Sequence, residues 1–313
     1  MNCILAGLIT LTTLLAEAKT RLPASEFILP APKRLLLNEI TAHRGNRVKL
    51  RENSLSSLLN SMDIGASSVE FDVHLTKDGT PVLYHDYYLN PKDFTVIKRP
   101  VLIKDLTLAE LKQISFSDNL QTLPGDTTVP TFEEFLLAVK KRESEKLPTI
   151  PLHLEIKSEK GFISESAPIS ILALRISEVI DKINIKTPII ARAFNWDVLT
   201  EFKKHKPKIP LVLLVDEKEL SLLSAEEVIR KYKPLGISPH HADLTPETIK
   251  SWLEHKIQVN PWTVNSIERA QELISMGVTG LTTDNPELFL ENFSTTIKKH
   301  YCLKNYTTTR KKP

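Results

Sequence analysis

The chain has 313 residues, 41% apolar and 25% charged, which suits a soluble globular protein and excludes a collagenous, low-complexity or disordered one. Its 41 Lys and Arg against 38 Asp and Glu leave a formal charge of +3, too mild a balance for a nucleic-acid binder. Two cysteines, Cys3 and Cys302, exclude a disulfide framework and a cysteine-rich metal site.

An apolar-leaning run from Cys3 to Ala16 opens the chain, followed by the A-x-A pattern Ala16-Glu17-Ala18. Residues 1–18 read as a secretory signal peptide, too short to span a bilayer comfortably. Against that reading, no Lys or Arg precedes the run; the first basic residue is Lys19. With cleavage after Ala18 the mature chain is secreted or periplasmic, keeps no stable membrane insertion and retains only Cys302. Otherwise the segment is a helix packed on the domain or anchoring it, in a cytoplasmic or membrane-anchored protein. Residues 19–38, with Pro23, Pro30 and Pro32, read as a linker. Residues 291–313 read as a basic, solvated tail rather than a polyanion-binding arm. The sequons at Asn292 and Asn305 matter only in a glycosylating host.

Between linker and tail, strand-like and helix-like runs alternate. Strand candidates are 39–43, 67–75, 81–85, 152–157, 188–194, 210–215, 235–239, 257–264 and 280–284. Between them, segments such as "ENSLSSLLNSMDIG", "TFEEFLLAVKKRESE" and "APISILALRISEVIDKI" carry apolar residues at spacings of three and four, the helical period. This alternation predicts parallel strands with helical crossovers, and the length suits a (β/α)8 TIM barrel over 39–290. A doubly wound open sheet is the architectural alternative, but no glycine-rich nucleotide-binding run supports it. Nine strand candidates compete for eight places. Asp78-Gly79 reads as a hairpin turn, which makes 81–85 an antiparallel extension. Residues 87–148 hold helix-like pieces and Pro/Gly loops without a clear strand, and read as an insertion beside the site.

In "VEFDVHL" Val69, Phe71, Val73 and Leu75 face one way, and Glu70, Asp72 and His74 the other. In a barrel strand the polar set points inward, where carboxylates are costly unless paired or bound to a cation. Glu70 and Asp72 stand about 7 Å apart along such a strand, so their flexible ends can converge on one ion. Hard oxygen donors select Ca²⁺ or Mg²⁺ over Zn²⁺. In "LHLEIK" Glu155 can complete that set and Lys157 can hold an anion. His43, Arg44 and His85 fall at strand ends, where barrel active sites form. Two histidines are suited to acid/base work near neutral pH. His74 and His153 share the polar faces and read as hydrogen-bonded structural residues, His240 and His241 as loop residues. Asp86 reads as a brace for the His85 loop.

"EITAHRGN", the block from Arg51 to Asp86, "LEIK" and "NPWTVNSIERAQELISMGVTGLTTDNPELF" together resemble the glycerophosphodiester phosphodiesterase family, over about residues 39–290. The ordered set H-R-G, E-x-D, K-D-G-x-P-V and H-D is highly specific. The resemblance implies a TIM barrel that hydrolyses glycerophosphodiesters to glycerol 3-phosphate and an alcohol. It also implies Glu70, Asp72 and Glu155 as ligands of a divalent metal, Ca²⁺ or Mg²⁺, and His43 and His85 as the acid/base pair, in either assignment. Arg44 and Lys157 would contact phosphate, and Trp262 would wall the pocket. The attacking oxygen is water or the 2-hydroxyl of the substrate's glycerol. Three departures stand out, one of them "HHAD" (240–243), which is not a usual family element. Arg47, Lys49 and Arg51 add charge where the family often has a smaller, less basic loop. "ARAF" replaces a common Ser-Phe, so Arg192 either faces the pocket or faces out. The competing readings are a related barrel phospholipase, of the sphingomyelinase D or phosphatidylinositol-specific phospholipase C type, and a non-catalytic binding protein on the same fold. The first would need an apolar membrane-facing loop; the intact histidines and carboxylates oppose the second.

Overall fold

Among the described residues, barrel strand and helix alternate eight times. The computed structural model describes residues 35–117, 123, 125–162, 164–216, 220 and 224–295. The signal-peptide reading of 1–18, both cysteines, Asn305 and most of the basic tail lie outside these residues. The barrel strands are β1 (Glu39–Ala42), β2 (Ser68–Leu75), β3 (Leu152–Ile156), β4 (Ile189–Ala193), β5 (Leu211–Val215), β6 (Gly236–Pro239), β7 (Gln258–Val259) and β8 (Gly280–Thr283). Their spatial order is β7-β6-β5-β4-β3-β2-β1-β8, with every neighbouring pair parallel. Two backbone hydrogen bonds close the ring beyond β7, Thr282 N–H to Pro261 O and Val264 N–H to Thr282 O, both 2.9 Å. This is the expected TIM barrel.

The helices that follow the barrel strands are α1 (Leu55–Asp63), α2 (Phe132–Ser144), α3 (Ile169–Ile183), α4 (Trp196–His205), α5 (Ala225–Tyr232), α6 (Pro246–Glu254), α7 (Ile267–Ser275) and α8 (Pro286–Asn292). Their starts follow capping chemistry. Ser54 caps α1, and Thr131 forms a reciprocal capping box with Glu134 on α2. Val69, Phe71, Val73 and Leu75 of β2 are buried in the layer between strands and helices. Phe71 meets Phe132 and Phe135 of α2 at ring-centroid distances of 5.8 and 5.0 Å.

Residues 81–85 follow the hairpin reading. Pro81–Leu83 pairs antiparallel with β2, Val73 opposite Leu83, after a turn in which Gly79 takes φ +78°. The insertion is shorter than 87–148. Phe132, Phe135, Leu136 and Val139 are fully buried in the main core, so α2 is the barrel helix that follows β2. Amphipathicity marks α2 as a helix but does not name the sheet it packs on. The remaining insertion carries a short ladder the sequence did not reveal, Tyr88–Leu89 against Val101–Leu102. Two residues are too few for a period-two pattern. It has its own apolar cluster, including Val82, Tyr84, Leu89, Phe94, Ile103 and Phe116. Arg51, read as mouth charge, is instead buried there, its guanidinium carbon 3.2 Å from the Phe116 ring centroid. Lys49 pairs with Glu287 on α8. Of the three basic loop residues, Arg47 reaches the site. Leu35–Leu37, within the segment read as linker, pairs in parallel with Phe293–Thr295, within the segment read as tail. No helix among the described residues is long and apolar enough to cross a membrane.

Candidate active site

The pleat of β2 and β3 aims carboxylates at the barrel interior. Asp72 lies opposite Glu155 in the parallel register, and Glu70 opposite His153. One oxygen from each of Glu70, Asp72 and Glu155 lies within 4.8 Å of the others, and all three residues are buried. Burial, with Asp72 and Glu155 adding to it, pushes the Glu70 carboxyl well above the usual range. Glu70 Oε2 accepts the Arg44 backbone N–H at 2.9 Å, while its buried Oε1 has no hydrogen-bond partner. Three crowded carboxylates with one orphaned oxygen fit a hard divalent cation by donor type and charge. Burial also pushes Asp72 up, but His85, Lys157, Arg44 and an Asn53 amide N–H at 2.9 Å hold it below the usual range.

Arg44 follows His43 in a turn that takes left-handed backbone, with φ +54° at Arg44 and +86° at Gly45. A Cβ at position 45 would meet Ser57 Oγ at 2.2 Å, so only glycine fits this approach. The turn brings the Arg44 Nε to 3.5 Å from Asp72 and Nη1 to 3.1 Å from Glu52 Oε1. Lys157 Nζ donates to Glu155 at 2.9 Å and to Glu159 at 2.5 Å. Burial opposes its charge, yet Glu155, Asp72 and Glu159 raise its pKa and keep it an ammonium.

Each histidine of the expected pair has an orienting carboxylate. His43 Nδ1 lies 2.6 Å from Asp284 Oδ1, and His85 Nδ1 lies 2.6 Å from Asp86 Oδ1. Burial lowers the His43 pKa against the pull of Asp284. His74 stands behind the cavity wall. Its Nε2 donates to the His85 carbonyl at 3.0 Å, and burial lowers its pKa to about 3, so it is neutral and holds the His85 backbone. His153 lies deeper, 2.9 Å from Glu39.

One cavity of about 1070 Å³ joins these groups. Its lining includes His43, Arg44, Glu70, His85, Glu155, Lys157 and Trp262. Arg192 faces this cavity, buried, and donates to Ser238 Oγ at 3.0 Å. Trp262 donates its indole N–H to Ser238 O at 2.9 Å and stands edge-on to Phe194, with centroids 5.4 Å apart. Tyr87 stacks on Phe162 across the other side, with centroids 4.8 Å apart. Sequence pattern does not single out Asp284, Glu159, Tyr87, Phe162 or Phe194. Asp284 had a usable cue, since it is the last residue of the strand candidate "GLTTD" (280–284), at the end where barrel sites form.

The model of the glycerophosphoryl diester phosphodiesterase family matches residues 43–288. The chain is similar to a glycerophosphodiester phosphodiesterase of Caldanaerobacter subterraneus, 25% identical over 257 residues, covering 80% of this chain and 96% of the relative. It is 29% identical over 254 residues to one of Bacillus altitudinis, covering 80% and 96%. Its fold is similar to that of an Oleispira antarctica phosphodiesterase solved with the product sn-glycerol-3-phosphate, with TM-score 0.68, 25% identity and coverage of 82% and 96%. With a family match over most of its length, on a TIM barrel whose ordered motifs meet in one cavity, this chain belongs to the glycerophosphoryl diester phosphodiesterase family and is an enzyme of that phosphoric diester hydrolase class.

Proposed function

We propose that this enzyme hydrolyses glycerophosphodiesters to glycerol 3-phosphate and an alcohol, with Glu70, Asp72 and Glu155 holding Ca²⁺ or Mg²⁺ and His43 and His85 moving protons. The observation that carries the reading is the convergence of both histidines, Arg44, Lys157, Glu70 and Glu155 on one cavity, with Asp72 in contact distance of the two glutamates. Glu70, Asp72 and Glu155 would hold the divalent ion, which would supply positive charge to the phosphoryl group. Arg44 and Lys157 add charge there and orient the diester. Each histidine has its Nδ1 engaged by a carboxylate, which leaves Nε2 for the reaction. One takes a proton from the attacking oxygen; the other gives a proton to the departing alkoxide. Trp262 and Phe194 wall the pocket. The product-bound neighbour and the names of the relatives support this substrate class. The A-x-A pattern after the apolar run supports export, which N-terminal sequencing of the native protein tests; a retained Met1 speaks against it.

Glycerophosphocholine with Ca²⁺ or Mg²⁺ should release glycerol 3-phosphate, and chelation should stop it. His43→Ala and His85→Ala should each lower kcat by roughly 100-fold or more. Full activity in either variant would falsify the acid/base assignment. Choline release from lysophosphatidylcholine, without cleavage of glycerophosphocholine, would favour the phospholipase reading.

A further inference from the structure

We propose that Arg47 and Asp284 are positioning residues that orient His43 and Arg44 together, an inference that rests on the phosphodiesterase reading above. A carboxylate only accepts hydrogen bonds, so the 2.6 Å contact with Asp284 places a proton on His43 Nδ1 and leaves Nε2 for the cavity. Asp284 is held in turn from two sides. Asn265 donates its amide to Asp284 Oδ2 at 2.7 Å and accepts the Asp284 backbone N–H at 2.9 Å. Arg47 Nη1 donates to Asp284 Oδ1 at 3.1 Å.

The other end of the same guanidinium continues the chain. Arg47 Nη2 lies 2.5 Å from Glu52 Oε2, and Glu52 Oε1 accepts from Arg44 Nη1 at 3.1 Å. His43 and Arg44 are consecutive, so His43–Asp284–Arg47–Glu52–Arg44 forms a closed ring. The proton-moving imidazole and the phosphate-facing guanidinium are thereby set by one bridging cation. A guanidinium can serve two carboxylates with separate nitrogens in a fixed plane, which a lysine ammonium cannot reproduce. Arg47 belongs to the basic loop that departs from the family's usual pattern. His85 is served differently, by the adjacent Asp86, whose side chain is 56% exposed. The ring side chains Arg47, Glu52 and Asp284 are partly solvated, so their ion pairs contribute little to stability. Geometry at His43 and Arg44 is what the ring controls.

The test compares wild type with Asp284→Ala, Asp284→Asn, Arg47→Ala, Arg47→Lys and the Arg47→Ala/Asp284→Ala double variant. For glycerophosphocholine hydrolysis, Asp284→Ala should lower kcat about 10- to 100-fold, in the range seen when an orienting partner is lost, with KM changed less than about threefold. Asp284→Asn retains an acceptor oxygen and should recover part of the loss. Arg47→Ala should cost about fivefold, Arg47→Lys should match it, and the double variant should lose less than the product of the two single losses. Melting temperatures should stay within about 3 °C of wild type, as loss of partly solvated pairs requires. An unchanged kcat in Asp284→Ala, a loss confined to KM, or an additive double variant overturns the proposal. A wild-type protein that cleaves no glycerophosphodiester sinks the functional reading instead. A low-field proton NMR signal from the His43 Nδ1–H then tests the His43–Asp284 arm of the ring without any substrate: it should vanish in both Asp284→Ala and His43→Ala, and its absence from wild type overturns the ring.

Discussion

Glu70 is a side chain under electrostatic stress at the site. Its carboxyl is buried, crowded by Asp72 and Glu155, and keeps one oxygen without a partner. A cation that relieves this stress binds the folded state and not the unfolded one, so it must stabilise the fold. At about 100 times its dissociation constant, Ca²⁺ or Mg²⁺ should add about 2.7 kcal/mol, seen as a rise in melting temperature that EDTA reverses. Glu70→Gln should raise the metal-free melting temperature and blunt the metal-induced rise. An equal rise in both proteins would place the ion elsewhere. The alternation in "VEFDVHL" made the inward carboxylates legible, because side-chain direction in a strand is a local, period-two property. His74 shares that face, yet only the tertiary contact with the His85 carbonyl distinguishes a backbone brace from a reacting group.

At the scale of elements, Arg51 ties the insertion to the barrel. It leaves the β1–α1 loop and lays its guanidinium on Phe116, with Phe94 at 5.8 Å. The next residues along that loop are Glu52 and Asn53, which contact Arg44 and Asp72. Losing the insertion's seat therefore disturbs the loop that braces the site. Arg51→Ala should destabilise the protein by about 2 kcal/mol through lost cation–π attraction and lost stem packing. It should also speed limited proteolysis within residues 84–130. Unaltered cleavage there would mean the insertion is seated by its apolar cluster alone. Sequence alone overstates the length of the insertion, because an amphipathic helix looks the same whether it covers the barrel or a satellite core. Phe71 meeting Phe132 and Phe135 settles which it is.

Across the whole barrel, Glu39 acts as a tie near the base. It accepts Ser68 Oγ of β2 at 2.7 Å, His153 Nε2 of β3 at 2.9 Å and the Asn260 amide beyond β7 at 2.9 Å. Burial pushes its carboxyl up, but His153 and Ser68 outweigh burial and lower its pKa to about 2. The unfolded chain takes up this proton near pH 4.5 and the folded chain only near pH 2. The stabilisation is therefore complete above pH 4.5 and lost as pH falls through that window, on the order of 3 kcal/mol in all. Glu39→Gln should be less stable at pH 7 and show a flatter fall in melting temperature between pH 5 and 3. An unchanged slope would show that other carboxylates govern acid unfolding.

The barrel class, the inward carboxylates and the strand-end histidines were all contained in the sequence. They depend on periodicities of two and 3.6 and on short ordered motifs, which are properties of neighbouring residues. The pairing of His43 with Asp284 spans 241 positions, and the burial of Arg51 depends on a ring 65 residues away. The facing of Arg192, left open by its motif, depends on Ser238 two strands further round. A strand's pattern states which way a side chain points, but the closure of the barrel decides which distant side chain it meets there.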